Sequence, residues 1–202
     1  MINLEFFNKT QLPLFFKYQF TTWLIIFIFS LLITKKSKSS PLEVYFSILI
    51  LIFYSYFIHI LFHLIPKNIN IHLLFHHDNE KIGYWFSLLI ELITNICFFI
   101  IFYYIKILCN VHFIPNSLIF FYGLIYVSTH IINYSIFHFG NSHVKHHTSV
   151  ENKTCNYGPD TIDHFLNTNC STYFEDLSHI LPNILISYLL TYYYFKPKFT
   201  SQ

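Results

Sequence analysis

Four stretches of this chain are long, apolar and nearly free of charge: Phe20 to Thr34 with its neighbours, Leu42 to Pro66, Gly83 or Tyr84 to Leu108 and Phe113 to Phe137. A helix needs roughly 17–25 such residues to cross a bilayer, and the lipid offers no water to satisfy an open backbone. Runs of this kind read as membrane-spanning helices, so the expected fold is all-α, with about four transmembrane helices. Residues 1–18 are apolar but broken by Asn8, Lys9, Pro13 and Lys17, and read as an interfacial segment. Lys35 to Ser40 is a polar turn, residues 67–83 are polar, and 138–179 is the longest polar region. Ile180 to Phe195 is apolar but short and contains Pro182, which leaves a span, a re-entrant piece or an interfacial helix open.

Composition agrees. The 202 residues are 54% hydrophobic and only 11% charged, which places the chain in a membrane as a single domain over 1–202. A net charge of +2 with no basic stripe argues against a nucleic-acid partner. None of the four cysteines forms C-x-x-C, so zinc-ribbon and thioredoxin-type motifs are excluded. Cys97 and Cys109 sit in apolar runs and read as inert core residues, and nothing in the pattern demands an oxidising compartment. The N-terminus, with Glu5 and no clean cleavage site, does not read as a removable signal peptide.

Against this background the histidines are concentrated. Ten of thirteen fall in two windows: His59, His63, His72, His76 and His77, then His130, His138, His143, His146 and His147. His59 and His63 are an i, i+4 pair at a helix end, His72 and His76 are another, and His143, His146 and His147 share one face if helical. The topology brings the windows together, because the exits of the second and fourth runs lie on the same side of a four-span bundle. Neutral imidazole suits zinc and iron, one metal takes about four to six ligands, and so many imidazoles suit two metals better than one. His112, His164 and His179 stand apart and read as surface or hydrogen-bonded side chains. Glu91, inside the third run, needs a partner or a proton; facing the site, bonding Asn95 and snorkelling all remain open.

The order His59-x-x-x-His63, His72-x-x-x-His76-His77 and His143-x-x-His146-His147, followed by Asn156-Tyr157-Gly158 and Asp163 to Thr168, resembles the fatty acid hydroxylase/sterol desaturase superfamily over about residues 50–170. Those integral-membrane enzymes carry H-x-x-x-H, H-x-x-H-H and H-x-x-H-H boxes. The middle box here is one residue longer, Tyr134 stands where a second i+4 histidine after His130 is expected, and Ile162 and Asn167 replace the family's aromatic and glycine. His130 and His138 would both face the site only if their helix bends.

The resemblance implies a cytosolic-face, histidine-rich helical cap and ten metal ligands: His59, His63, His72, His76, His77, His130, His138, His143, His146 and His147. It implies two iron ions, replaceable by zinc on purification, and activation of dioxygen to hydroxylate or desaturate a fatty acyl, sterol or related lipid. Electrons would come from a cytochrome b5-type donor, in the endoplasmic reticulum. Asp163, Asn156, Tyr157 and His179 are the supporting residues it points to, Asp163 first among the nearby Asp160, Glu175 and Asp176. Asn156-Tyr157-Gly158 reads as a turn with glycine in the strained position. Two other classes stay open: a membrane metal-binding or transport protein, and a catalytically degenerate lipid-binding member of the same fold.

Overall fold

The structure is a computed structural model, and it describes residues 11–70, 83–148, 155–171 and 173–196. Among these residues the regular secondary structure is all helical. Four helices are long and apolar enough to cross a membrane: α1 (Gln11–Ser37), α2 (Pro41–Leu64), α3 (Tyr84–Leu108) and α4 (Asn116–Ile136). Two short helices, α5 (Asn141–Thr148) and α6 (Asp160–Leu166), form a polar cap, and α7 (Leu181–Tyr194) closes the chain. This is an integral membrane protein.

The first span begins earlier than the sequence pattern predicts. Lys17 and Gln19 do not interrupt it, because Gln19 turns inward onto a polar partner in the cap and is fully buried. The α1–α2 connection is tight: Lys38 takes a left-handed conformation, and Ser40 then caps α2. The Ser40 hydroxyl accepts from Glu43 N–H at 3.2 Å, and the Glu43 carboxylate accepts from Ser40 N–H at 2.7 Å, with Pro41 at the first helical position. Helix α2 ends at Leu64 because Pro66 drives Ile65 into an extended conformation.

Helix α2 buries Val44, Ser47, Ile48, Leu51, Ile52, Ser55, Tyr56 and His59. These positions recur every three or four residues, so one stripe faces the bundle. His59 is the last member of that stripe, and the pattern that packs the helix therefore also aims the imidazole inward. Helix α4 is central and packs against α1, α2, α3 and α7. Gly123 lets α3 come close: a Cβ there would lie 3.0 Å from the Phe99 ring. Helix α7 is shorter than a span and runs antiparallel along α4, from Asn133 bonding His179 O at one end to Phe120 stacking on Tyr194 at the other.

The cysteines depart from the sequence reading. Cys97 and Cys109 lie on the outer surface of the bundle rather than in its core. Cys155 and Cys170 form a disulfide in the cap that the spacing did not announce.

Candidate metal centre

The second and fourth spans do deliver their histidines to one layer: the His59 and His130 rings are 6.3 Å apart. Within that layer, three side chains converge. The ligand atoms of His59, His63 and His146 all lie within 4.8 Å of one another, and His59 and His146 are 2% and 0% exposed.

The ring nitrogens are sorted by the backbone. His59 Nδ1 donates to Tyr157 O at 2.8 Å, and His146 Nδ1 donates to Cys155 O at 2.5 Å. An imidazole that donates through Nδ1 and stays neutral carries its lone pair on Nε2. Both lone pairs are thus set toward the shared volume. His63 Nε2 lies 3.2 Å from His59 Nε2. Two nitrogens each about 2.1 Å from a tetrahedral metal would be roughly 3.4 Å apart, so the spacing fits a common ion. A single N–H···N bond between His63 and His59 would also give this distance, but it leaves the approach of His146 to both unexplained. The donor set suits zinc or iron.

The carbonyls that orient the rings are themselves held. Asp163 is 0% exposed, and its carboxylate accepts from Tyr157 N–H (2.9 Å), Gly158 N–H (2.9 Å) and the Thr168 hydroxyl (2.7 Å). Burial pushes its carboxyl up, and these three donors oppose that by favouring the charge. Since Thr168 spends its proton on Asp163, Tyr56 of α2 donates to Thr168 Oγ1, at 3.0 Å. The Tyr157 ring packs against all three imidazoles, 5.4 Å from His63, 5.9 Å from His59 and 6.0 Å from His146. In this turn the left-handed residue is Asn156, with φ 59°, and not the glycine. Gly158 is needed for closeness instead: a Cβ there would meet Tyr56 at 3.0 Å.

Other predicted ligands go elsewhere. His143 is buried beside the group, but its ring stacks on Tyr134 at 4.2 Å and stands edge-on to His130 at 4.6 Å. His130 stacks on Tyr126 at 5.5 Å, with Nε2 3.7 Å from Glu91 Oε1. Glu91 accepts from Ser135 Oγ at 2.7 Å, so the carboxylate in the span faces inward and has a donor. The helix does change course here: Thr129–Ile136 is π-helical, a geometry often found at functional sites. His138 follows the helix end with φ 53° and is exposed, outside the three converging rings. His179 donates through Nδ1 to Asp176 O at 2.7 Å, away from the three converging rings. His164 stacks on Phe174 at 4.1 Å, and its Nε2 is 3.6 Å from Asp160 Oδ1. His72, His76 and His77 lie outside the described residues, as does the side chain of His147.

Contacts that the sequence reading did not anticipate secure the cap to α1. Asp160 Oδ2 accepts from Gln19 Nε2 at 2.5 Å and from Glu175 N–H at 2.9 Å, while Trp23 Nε1 donates to Thr161 Oγ1 at 2.7 Å. An amide inside an apolar run was the available signal for Gln19, because lipid exposure would leave it unsatisfied.

Comparison with known proteins returned nothing: no family model, no curated protein and no solved structure matches the chain. The fold and the site define a class by themselves. The chain is an all-helical membrane protein with a cluster of three imidazoles, two of them buried, that could hold a metal ion.

Proposed function

We propose that the chain is a membrane-bound, oxygen-dependent enzyme that hydroxylates or desaturates a lipid at a histidine-held metal centre. The observation that carries this reading is the convergence of His59, His63 and His146, with two of the three rings oriented by backbone carbonyls. Iron held by such imidazoles supplies the activation of dioxygen, and a second iron would need ligands beyond these three. The polypeptide holds the rings in one tautomer, keeps water away and positions the substrate.

Of two spaces beside the bundle's helices, the larger supports a lipid substrate. A cavity of about 80 Å³ borders His59, His130 and His143, with Trp23, Ile26, Ile125 and Leu177 among its walls. It has room for a few water-sized molecules, not for a lipid tail. A larger apolar groove of about 790 Å³ lies between α3 and α4, lined by Ile96, Phe99, Ile100, Ile119 and Phe120 among others. Phe99 stands between the two spaces. It lines the groove, and its ring packs on Tyr122 and Tyr126, which line the cavity. An acyl chain resting in the groove would have to pass Phe99, Tyr122 and Tyr126 to reach the centre.

Electrons would come from a separate donor such as a cytochrome b5-type protein, and the endoplasmic reticulum is the location that goes with this chemistry. A transporter is the weaker reading, because its ligands belong at broken helices near the midplane, whereas His59 and His63 sit at the end of an unbroken α2. The test is untargeted lipidomics of cells expressing the wild type or His146→Ala/His147→Ala. A lipid that gains one oxygen or loses two hydrogens only with the wild type is the expected result. A metal-loaded wild type that alters no lipid sinks the proposal.

A further inference from the structure

The Cys155–Cys170 disulfide closes a loop across a separation of 15 residues, and that loop contains the carbonyls that orient two of the three imidazoles. Cys155 supplies the carbonyl that takes the His146 Nδ1 proton. Two residues on, Tyr157 supplies the carbonyl that takes the His59 Nδ1 proton. Asp163, inside the loop, fixes Tyr157 and Gly158 through their N–H groups. The two edges of the loop are further joined by Asn156 N–H donating to Thr168 O at 2.7 Å. One covalent bond thus closes the segment that sets the direction of two of the three candidate ligands.

We propose that Cys155 and Cys170 are positioning residues for the metal: their disulfide is a clasp, and opening it loosens the metal without unfolding the bundle. This rests on the three-histidine reading above. The bond spans only the cap, and the helices α1 to α4 keep their apolar packing whether it is closed or open. Opening takes two electrons and two protons, delivered by a dithiol that ends as its own disulfide, and leaves two cysteine thiols. The loop then regains conformational freedom, and the Cys155 carbonyl spends less time on His146. Losing a partner that orients a ligand lowers metal affinity by about 10–100-fold. Reducing compartments keep such bonds open, so a tightly loaded centre goes with a cap on the oxidising side of the membrane. That placement is the opposite of the cytosolic histidine face implied by the resemblance.

The experiment is zinc titration, and cobalt titration followed by visible absorption, of the full-length chain in detergent. All variants carry Cys97→Ser/Cys109→Ser, so that Cys155 and Cys170 are the remaining thiols. Oxidised protein is compared with phosphine-reduced protein and with a variant that adds Cys155→Ser/Cys170→Ser, with helix content followed by circular dichroism. The expected result is a Kd about 10–100-fold weaker in the two open forms, an altered cobalt spectrum and unchanged helix content. Equal affinity and identical spectra in closed and open forms would overturn the clasp alone. Loss of helix content on opening would overturn it too, by showing a general brace. Failure of the oxidised protein to bind either metal would overturn the three-histidine centre itself.

Discussion

Two groups of histidines share one layer of this bundle, and their surroundings make them chemically different. In the first, His59 and His146 each give a proton to a backbone carbonyl and turn the other nitrogen toward His63. In the second, His130 and His143 lie flat on Tyr126 and Tyr134, and the carboxylate of Glu91 is near. A carbonyl at Nδ1 fixes the direction of the other nitrogen's lone pair and so suits a ring to a metal. A stacked aromatic ring fixes only a plane. Position in a histidine box is therefore not enough; what matters is which backbone atom meets the far side of the ring.

The largest effect should come from breaking the first group. His146→Ala or His63→Ala should reduce bound metal from about one ion per chain to near none by elemental analysis, with membrane insertion intact. Loss of less than half the metal would contradict the assignment of the ligands. Next comes the support beneath them. Asp163→Ala strands two backbone N–H groups and a hydroxyl, each costing about 1–3 kcal/mol if buried, and should lower metal affinity about 10–100-fold. A thermal unfolding scan and a zinc titration check the two halves of that statement. A smaller effect is expected from Gly158→Ala, whose methyl would press on Tyr56 and shift the Tyr157 carbonyl; a several-fold loss of affinity is the expected size.

His130→Ala or Glu91→Gln should change metal content least, by less than twofold, because neither residue belongs to the converging group. A collapse of metal binding in His130→Ala would erase the contrast and show that both groups serve one centre.

A pH test probes the cap without touching the ligands. Burial, with Asp160 and Asp176 nearby, pushes the Glu175 carboxyl up to about 8. A carboxyl whose pKa is raised by folding stabilises the folded state while protonated, and that contribution is lost as pH rises through the folded value. Glu175→Gln should match the wild type in thermal stability near pH 5 and exceed it progressively up to pH 9. A constant difference across that range would show that burial does not perturb this group.

Much of the architecture was legible because lipid imposes a severe rule. An apolar run with the length of α2, α3 or α4 has few alternatives to a spanning helix. The meeting of the second and fourth spans was readable too, whereas the Ser40 cap and the buried face of α2 came from the structure. Gln19 was harder, since its partner Asp160 is 141 residues away. The place of His138 was not legible, because a histidine two turns beyond His130 looks equivalent to it until the backbone turns left-handed at the helix end. The disulfide was invisible because Cys155 and Cys170 form no motif, and only the fold of the intervening loop brings them together.

By itself, the sequence determined that this chain lives in a membrane and gathers histidines on one side, because hydrophobic length and helical period are local properties. Which imidazoles converge was decided by tertiary structure. The carbonyl that orients His59 comes from a residue 98 positions later in the chain, whose own N–H is held by Asp163. Spacing along a helix sets the direction of a Cβ, but the direction of a nitrogen lone pair depends on the hydrogen bond at the other end of the ring.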